Sequence, residues 1–282
     1  MKTGLVLEGG AMRGLFSAGV TDVLMENGVT FDGLFGVSAG AAFGCNYKSK
    51  QIGRAARYNI KYCNDPRFCS FRSLIKTGDM FGREFCYHTL PEELDKFDKK
   101  TFNENPMEFY VVCTDVNTGK PVYKMLEKAD DDCYEWMRAS ASMPLVSTVV
   151  NVGGYSLLDG GMSDSIPLKF AQNVGYDKNV VVLTQPRGYV KKKPLMLTYI
   201  KLAMKKYPKM AEAMARRHEM YNEQKKYVFE KEKQGVIIVV CPDEPLEVGR
   251  IEHNPDKLRA VYELGRKKAE EKISEIKEFI KK

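Results

Sequence analysis

Short apolar runs that end at glycine or polar residues predict a series of β-strands along the chain. The predicted strands are 3–8, 31–37, 108–115, 121–125, 155–159, 178–184 and 236–242. The runs at 180–183 and 236–240 are apolar at every position. This pattern is typical of strands covered on both faces, because a strand with one solvated face alternates apolar and polar residues.

Apolar residues at three- and four-residue steps predict helices between these strands. The predicted helices are 13–27, 51–63, 130–140, 165–173, 195–232 with an interruption at Pro208, and 255–281, and a further helix begins at residue 39. In the last helix, Asn254 can cap the N-terminus and Pro255 suits the first turn. Its apolar stripe predicts packing on the core and consists of Leu258, Tyr262, Gly265, Ala269, Ile273, Ile276 and Ile280.

The order strand, glycines, helix occurs twice at the start of the chain, which is the βαβα pattern of a parallel sheet. We therefore predict an α/β fold with a mostly parallel central sheet and helices on both faces. The sequence has no internal repeat, low-complexity tract or long linker. Residues 1–282 are accordingly predicted to form a single domain.

Composition narrows the class of protein. With 44% hydrophobic and 29% charged residues, the chain of 282 residues is typical of a globular protein. Its 7 cysteines form no C-x-x-C pair, which favours free thiols in a reducing compartment. The 3 histidines are too separated to predict a metal cluster. No apolar run reaches the roughly 20 residues of a membrane span, so we expect a cytoplasmic protein.

Positive charge is concentrated in one segment, residues 191–233, in a chain whose net charge is +7. Lysines interleave there with apolar residues, which fall on one helical face: Met196, Ile200, Ala203, Met204 and Tyr207. The favoured interpretation is a helix pair packed on the core with a solvated lysine face. The alternative is peripheral contact with an anionic membrane. The segment contains no nucleic-acid-binding motif, so we expect no nucleic-acid partner.

Ser38 lies in the stretch Gly36-Val37-Ser38-Ala39-Gly40, between a predicted strand and a predicted helix. This G-x-S-x-G context is typical of a nucleophile elbow, in which small neighbours let a sharp turn lift the serine hydroxyl out of the sheet. The N-terminus of the following helix would stabilise negative charge that develops nearby. The alternative is a tight turn with an incidental serine; the flanking strand and helix favour catalysis.

A second glycine-rich turn, Gly9-Gly10-Ala11-Met12-Arg13-Gly14, also separates a strand from a helix. It departs from the dinucleotide-binding pattern because Ala11 replaces the middle glycine, although Asp32 on the next strand would suit that pattern. An oxyanion hole of backbone amides beside Ser38 fits better, since glycines let the backbone approach a substrate closely. A glycine-rich turn without a ligand is the third alternative.

A catalytic serine needs a base. Asp159 ends a predicted strand and is followed by Gly160 and Gly161. It would lie at the same sheet edge as Ser38 if the strands are parallel. Taken alone, an Asp-Gly-Gly run is more typical of a turn or a helix cap.

A histidine base is the alternative. His218 lies in a charged helical run, where a solvated surface residue is the better interpretation. His253 precedes the cap of the final helix and suits polar loop filling. His88 lies in a polar, aromatic patch with no partner that the sequence identifies.

Together these motifs resemble the patatin-like phospholipase family, and within it the small bacterial members. The segment from Gly9 to Gly14 is similar to the glycine-rich oxyanion loop, Gly36 to Gly40 to the nucleophile motif, and Asp159 to Gly161 to the D-G-[GA] motif. Residues 138–144 and 164–167 resemble the flanking sequence. The resemblance covers about residues 3–185, which would form a catalytic core, with 190–282 as a helical extension packed on it.

The resemblance implies a serine acyl hydrolase, a carboxylic ester hydrolase that cleaves lipid esters without metal or cofactor. Ser38 would attack the ester carbonyl, Asp159 would accept the serine proton, and the amides of Gly9, Gly10 and Ala11 would hold the oxyanion. Arg13 would hold the loop, or bind a phosphate head group.

The family usually has glycine where Ala11 stands, and alanine adopts a positive φ less freely. A lipid-binding protein of the same fold with weak catalysis is therefore the second candidate function. The aromatic stretch 64–88 is irregular in pattern and is a candidate lid.

Overall fold

The structure, a computed structural model, describes residues 1–195 and 197–281. The strands in this part of the chain are β1 Lys2–Leu7, β2 Gly33–Val37, β3 Glu108–Asp115, β4 Pro121–Met125, β5 Val150–Val152, β6 Tyr155–Asp159, β7 Tyr176–Val182 and β8 Ile237–Val240. The α-helices are α1 Leu15–Glu26, α2 Ala39–Lys48, α3 Arg54–Tyr62, α4 Phe71–Thr77, α5 Lys99–Glu104, α6 Asp131–Ala141, α7 Leu168–Asn173, α8 Leu197–Ala203, α9 Pro208–Lys233 and α10 Pro255–Lys281.

All of these strands belong to one mixed sheet in the order β5-β6-β3-β2-β1-β7-β8, with β4 paired to β3. The five strands from β3 through β2, β1 and β7 to β8 are parallel. The strands β4, β6 and β5 are added antiparallel. The predicted mostly parallel sheet is thereby confirmed.

Alternate residues of the central strands enter two different apolar clusters, which places helices on both faces of the sheet. In β1, Leu5 and Leu7 pack with residues of α1, α2 and α10, whereas Val6 packs with residues of α7 and α9. In β8, Ile238 and Ile237 divide between the clusters in the same way. The three-layer arrangement explains the continuous apolar runs, because both faces of these strands are buried.

The C-terminal region is joined to the rest of the chain by a strand and by a close helix contact. β8 continues the sheet beyond β7. Helix α10 packs against α1 where two glycines meet: a Cβ added at Gly19 would lie 2.1 Å from the Tyr262 carbonyl oxygen, and one added at Gly265 would lie 2.0 Å from that of Phe16. The predicted division into a core and a packed extension remains a prediction.

The sequence pattern was wrong in several segments. The helix predicted at 13–27 begins with a 3₁₀ turn, Ala11–Gly14, before α1. The stretch expected to be irregular contains α4 and the start of a π-helical segment, Phe85–Leu94. Strand β5 and helix α5 were not predicted. Apart from the π-helical segment, which has 10 residues, these are short elements that offer too few turns or alternations for periodicity to define them.

The basic segment folds as α8 and α9, separated before Pro208 as predicted. Of the apolar face predicted there, Ile200 and Met204 are buried. Met196 lies outside the described residues. Ala203 is exposed and Tyr207 is half-buried, so the predicted face is buried only in part and the choice between core packing and membrane contact remains a prediction. None of the helices in the described ranges is long and apolar enough to cross a membrane.

Candidate active site

Two strands that end at the same point of the sheet bring Ser38 and Asp159 together. Val37, the last residue of β2, pairs with Val112 of β3. The next residue of β3, Cys113, pairs with Asp159, the last residue of β6. The other edge of β3 is occupied by β4, so β2 and β6 share one edge and meet end to end. The condition of parallel strands is not met, because β6 is antiparallel to β3; Asp159 reaches the same place from the opposite direction.

The turn at Ser38 has the strained backbone of a nucleophile elbow. Ser38 adopts φ 56° and ψ −121°, a positive-φ conformation that costs about 1–3 kcal/mol and is concentrated at functional sites. The flanking glycines permit the turn sterically. A Cβ at Gly36 would lie 2.6 Å from the Gly40 carbonyl oxygen, and a Cβ at Gly40 would lie 2.5 Å from the Leu7 carbonyl oxygen.

The Ser38 hydroxyl donates a hydrogen bond directly to the Asp159 carboxylate. The distance from Ser38 Oγ to Asp159 Oδ2 is 2.6 Å. The other carboxylate oxygen, Asp159 Oδ1, accepts a 2.7 Å hydrogen bond from the Gly161 amide. Gly160 must be glycine here, because a Cβ would lie 2.1 Å from the Val112 carbonyl oxygen. The Asp-Gly-Gly run thus fixes the carboxylate at a distance suited to proton transfer.

Burial makes Asp159 a stronger proton acceptor than a solvated aspartate. Both site side chains are nearly inaccessible, with relative exposures of 6% for Ser38 and 3% for Asp159. Burial raises the pKa of Asp159 above its usual range, while the hydrogen bond from Ser38 and the nearby Arg217 guanidinium partly offset that rise. Arg217 Nε also donates a 2.5 Å hydrogen bond to the Gly161 carbonyl oxygen, so the guanidinium is fixed beside the carboxylate.

The end of α6 holds both site residues in place, a role that the sequence did not reveal. The Ser38 amide donates a 2.9 Å hydrogen bond to Ser140 Oγ, and Ser140 donates a 2.6 Å hydrogen bond to the Val112 carbonyl oxygen. The Asp159 amide donates to the Ser142 carbonyl oxygen at 2.8 Å. The resemblance of residues 138–144 to the family's flanking sequence was the signal available for these contacts.

The glycine-rich loop after β1 lies against the serine turn. A Cβ added at Gly9 would be 3.0 Å from Ser38 Cβ, and one added at Gly14 would be 2.7 Å from Ala39 Cβ. Within the described residues, the amides of Gly9, Gly10, Ala11 and Ala39 have no hydrogen-bond acceptor. Free amides beside a buried hydroxyl are the donors that an oxyanion hole requires.

A buried carboxyl, Glu8, anchors the start of this loop. Tyr221 of α9 donates a 2.7 Å hydrogen bond to Glu8 Oε1, and the Thr184 amide donates a 2.6 Å hydrogen bond to Oε2. Burial raises the pKa of Glu8, although both hydrogen bonds act in the opposite direction. Thr184 also contacts the loop, because its hydroxyl donates to the Gly9 carbonyl oxygen at 3.2 Å.

The histidines do not hydrogen-bond to Ser38 or Asp159 anywhere in the described structure. His218 Nδ1 lies 3.1 Å from the Ala215 carbonyl oxygen, and His253 Nδ1 lies 2.6 Å from that of Cys63. The expectation of a solvated His218 was wrong: its side chain is only 17% exposed and lines a cavity beside Ser38. It faces inward because its helix packs over the site.

Arg13 lies at the edge of the same cavity. Its Nε is buried and has no hydrogen-bond partner among the described residues. The described part of the chain contains no group of three or more histidine, cysteine, aspartate or glutamate side chains arranged to hold a metal ion.

An apolar cavity opens at Ser38 between α2, α3, α6 and the segment that follows α3. Aromatic and aliphatic side chains form its wall: Phe43, Tyr58, Phe68, Phe81, Leu90 and Met137. The predicted aromatic stretch 64–88 therefore contributes to the wall of this cavity. A second cavity, the polar cavity, is lined by more charged side chains and also reaches the serine. Both cavities are lined by Ala11, Ser38 and Met143.

Comparison with known proteins identifies the family of the chain. Residues 5–171 match the model of the patatin-like phospholipase family, and residues 207–281 match a domain of unknown function, DUF6363. The uncharacterized protein YjjU of Escherichia coli is 31% identical over 199 residues, which are 64% of this chain and 52% of YjjU. Lysophospholipase nte1 of Aspergillus terreus is 29% identical over 187 residues, 62% of this chain and 11% of that protein.

Among solved structures, VipD from Legionella pneumophila is similar with a TM-score of 0.45 and 11% sequence identity, over 96% of this chain and 66% of that chain. The chain thus spans about half the length of YjjU and about a tenth of the length of the lysophospholipase. The family model covers more than half of the chain, including the loop at Gly9, the elbow at Ser38 and the turn at Asp159. The chain belongs to the patatin-like phospholipase family.

Proposed function

We propose that the protein is a serine acyl hydrolase that cleaves carboxyl esters of lipids with Ser38 as nucleophile and Asp159 as base. The observation that carries this proposal is the 2.6 Å hydrogen bond between Ser38 Oγ and Asp159 Oδ2 at the mouth of an apolar cavity. The printed name of the fungal relatives, lysophospholipase, supports a lipid ester as the substrate. The cavity would accept the acyl chain.

The reaction would proceed through an acyl-enzyme. Ser38 Oγ attacks the ester carbonyl carbon while its proton moves to Asp159 Oδ2. The resulting oxyanion is held by the amides of Gly9, Gly10 and Ala11, whose freedom from other acceptors supports this role. Collapse breaks the bond to the alcohol, which leaves with the proton from Asp159. Water then attacks the acyl-enzyme and gives its proton to Asp159, which returns it to Ser38 as the fatty acid leaves.

The second candidate function, lipid binding with weak catalysis, rests on Ala11. This residue adopts φ 50°, a conformation that glycine would accept without strain. Alanine thus reaches the left-handed region at a cost of about 1–2 kcal/mol. Ala11 thus has the positive φ that glycine would have at this position, so the replacement of glycine does not prevent the loop from taking its shape. This favours the hydrolase over the binding protein.

A fluorophosphonate probe separates these two functions. We expect covalent labelling of wild type, located at Ser38 by peptide mass spectrometry, and no labelling of Ser38→Ala. The Ser17→Ala variant is a matched control, because Ser17 is another buried serine, lies in α1 and lacks the strained turn. An unlabelled wild type that still binds lipid would support the binding protein instead.

We also propose a cytoplasmic protein that contacts anionic membranes through residues 191–233. Leu195, Tyr199 and Leu202 are apolar and exposed in this segment, beside the exposed Lys201. Such a surface would bind anionic vesicles at low salt and release them at high salt, since salt screens exposed charges. Equal sedimentation with neutral vesicles would contradict the electrostatic part of this proposal.

A further inference from the structure

The polar cavity beside Ser38 is lined by positive side chains, most of which come from the C-terminal region. Lys191 and Lys192 lie between β7 and α8, Arg217 projects from α9, and Arg250 lies between β8 and α10. Arg13 of the glycine-rich loop lines the same cavity. The C-terminal region thus contributes directly to the surroundings of Ser38 and Asp159.

These cations form no close ion pair with a carboxylate in the described structure. In the described structure, Arg13, Lys191, Arg217 and Arg250 form no ion pair within 4.0 Å, and the guanidinium of Arg217 donates to a carbonyl oxygen. The lining also includes two carboxylates, Glu8 and Asp159, but each already accepts two hydrogen bonds from protein groups. The cavity therefore carries an excess of positive charge, which a bound anion would neutralise.

The cations also repel one another. Burial lowers the pKa of Lys191 to about 8, and Arg217, Arg250 and Arg13 contribute to that shift, while Glu8 opposes it. Burial also lowers the pKa of Arg217, with a further contribution from Arg250 and opposing ones from Asp159 and Glu8. An anion placed among them would relieve this repulsion, because like charges a few ångströms apart destabilise each other in a partly buried site.

The aromatic rings of the cavity already hold an ammonium group. Lys191 Nζ lies 4.5 Å from the centroid of the Tyr221 ring and 5.6 Å from that of Tyr189. Quaternary ammonium groups such as choline are recognised by such ring faces. Lys191 occupies these ring faces, so they are not free to bind a choline head group. The positive side chains of the cavity would also repel the positive charge of choline.

We propose that Lys191, Arg217 and Arg250 form a phosphate-binding subsite, and that the ester substrate carries a terminal phosphate rather than a choline-bearing head group. The inference rests on the proposed function, because it names the substrate class of the same site. The two cavities meet at Ala11, Ser38 and Met143. An acyl chain in the apolar cavity would therefore place a nearby phosphate in the polar one, with the ester between them at Ser38.

Binding of small head-group probes tests the subsite without turnover or membranes. The full chain carrying Ser38→Ala would be titrated by calorimetry with sn-glycerol 3-phosphate, inorganic phosphate and glycerophosphocholine. We expect sn-glycerol 3-phosphate to bind at least about tenfold more tightly than glycerophosphocholine. One additional charge-assisted hydrogen bond to the terminal phosphate changes the affinity by about this factor. Failure of sn-glycerol 3-phosphate to bind would overturn the subsite, and equally tight binding of inorganic phosphate would overturn its assignment to a head group.

Variants locate the binding. Arg250→Gln should weaken sn-glycerol 3-phosphate by about tenfold, and Lys191→Gln should do the same. Arg250 is exposed and without a partner in the described structure, so its replacement should not disturb folding. The matched control is Arg259→Gln, an exposed arginine of α10 that does not line the cavity. Equal affinity in Arg250→Gln, Lys191→Gln and Arg259→Gln would overturn the proposal.

Turnover separates this inference from the proposed function. Wild type should hydrolyse a lysophosphatidic acid with a higher kcat/KM than a lysophosphatidylcholine or a monoacylglycerol of the same chain, and Arg250→Gln should reduce that preference. Hydrolysis of all three without preference would overturn the inference and support the hydrolase. Absence of hydrolysis together with binding of sn-glycerol 3-phosphate would contradict the hydrolase and support the subsite alone.

Discussion

At the scale of the residue, the site depends on two side-chain-bearing positions with positive φ, Ala11 at 50° and Ser38 at 56°. Ser38 is held there by its amide hydrogen bond to Ser140 and by the flanking glycines. Ala11 lies in the loop that packs against Ser38, where glycine would be unstrained. Two of the four non-glycine residues with positive φ in the described structure therefore lie at the proposed nucleophile and at the loop proposed to hold the oxyanion.

Replacing Ala11 by glycine tests whether this strain limits the site. Ala11→Gly keeps the backbone amide and relieves the positive φ, so we expect kcat/KM for a p-nitrophenyl ester to change by less than tenfold, about 1.4 kcal/mol. Ala260→Gly, an exposed helix substitution in α10 that lines neither cavity, is the control. A rise in kcat/KM of more than tenfold in Ala11→Gly, without a rise in the control, would show that alanine impairs the oxyanion loop. It would favour the weakly catalytic lipid-binding protein.

The local motifs were predictable at this scale, whereas the tertiary partners were not. Ser38 was found because G-x-S-x-G records a steric requirement within five residues. Asp159 needed the family resemblance, since an Asp-Gly-Gly run has many uses. Lys191 and Arg250 reach the site only through the fold, so neither has a local pattern that could have indicated its position.

At the scale of the element, the contact between α1 and α10 ties the C-terminal region to the first βα unit. The two helices pack so closely that a Cβ added at Gly19 of α1 would clash with a carbonyl oxygen of α10. A Cβ added at Gly265 of α10 would clash with a carbonyl oxygen of α1. The contact is reinforced at its edge, where Tyr262 donates a 2.8 Å hydrogen bond to Asp22 and Arg266 pairs with Glu26 at 2.8 Å.

Gly265→Ala should destabilise this contact. The added Cβ would lie 2.0 Å from the Phe16 carbonyl oxygen, and overpacking of this kind costs roughly 1–3 kcal/mol. We expect a fall in Tm of several degrees by calorimetry. Gly188→Ala is the control, because a Cβ there meets no heavy atom within 4 Å. An unchanged Tm in Gly265→Ala would contradict this prediction, because it would show that α1 and α10 can move apart without loss of stability.

Long elements were predictable from periodicity, and short ones were not. The stripe of α10 and the apolar runs of β7 and β8 gave the right element types. Strand β5 has only three residues, Val150–Val152, too few to show alternation. The antiparallel arrival of β6 depends on the path of the chain between β3 and β6, which no periodicity within a single element records.

At the scale of the whole molecule, both cavities reach Ser38, and both matched segments of the chain, 5–171 and 207–281, contribute residues around it. The segment that matches the family contributes the elbow, the carboxylate and most of the apolar wall. The segment that matches DUF6363 contributes Arg217 beside Asp159, Tyr221 on Glu8, and Arg250 at the polar cavity. The C-terminal region is therefore expected to adjust the charge and the specificity of the site.

The most direct test of the account is the pH dependence of ester hydrolysis in wild type, Ser38→Ala, Asp159→Asn and His218→Asn. Because burial raises the pKa of Asp159 above 3.8, and the base must be ionised, wild-type activity should fall on the acid side at a pH above the ordinary aspartate value.

We expect Ser38→Ala to be inactive, Asp159→Asn to lose roughly 10²–10⁴ of the rate together with its acid limb, and His218→Asn to retain the wild-type acid limb. Substantial activity in Asp159→Asn, with the acid limb lost in His218→Asn, would contradict the dyad and identify histidine as the base.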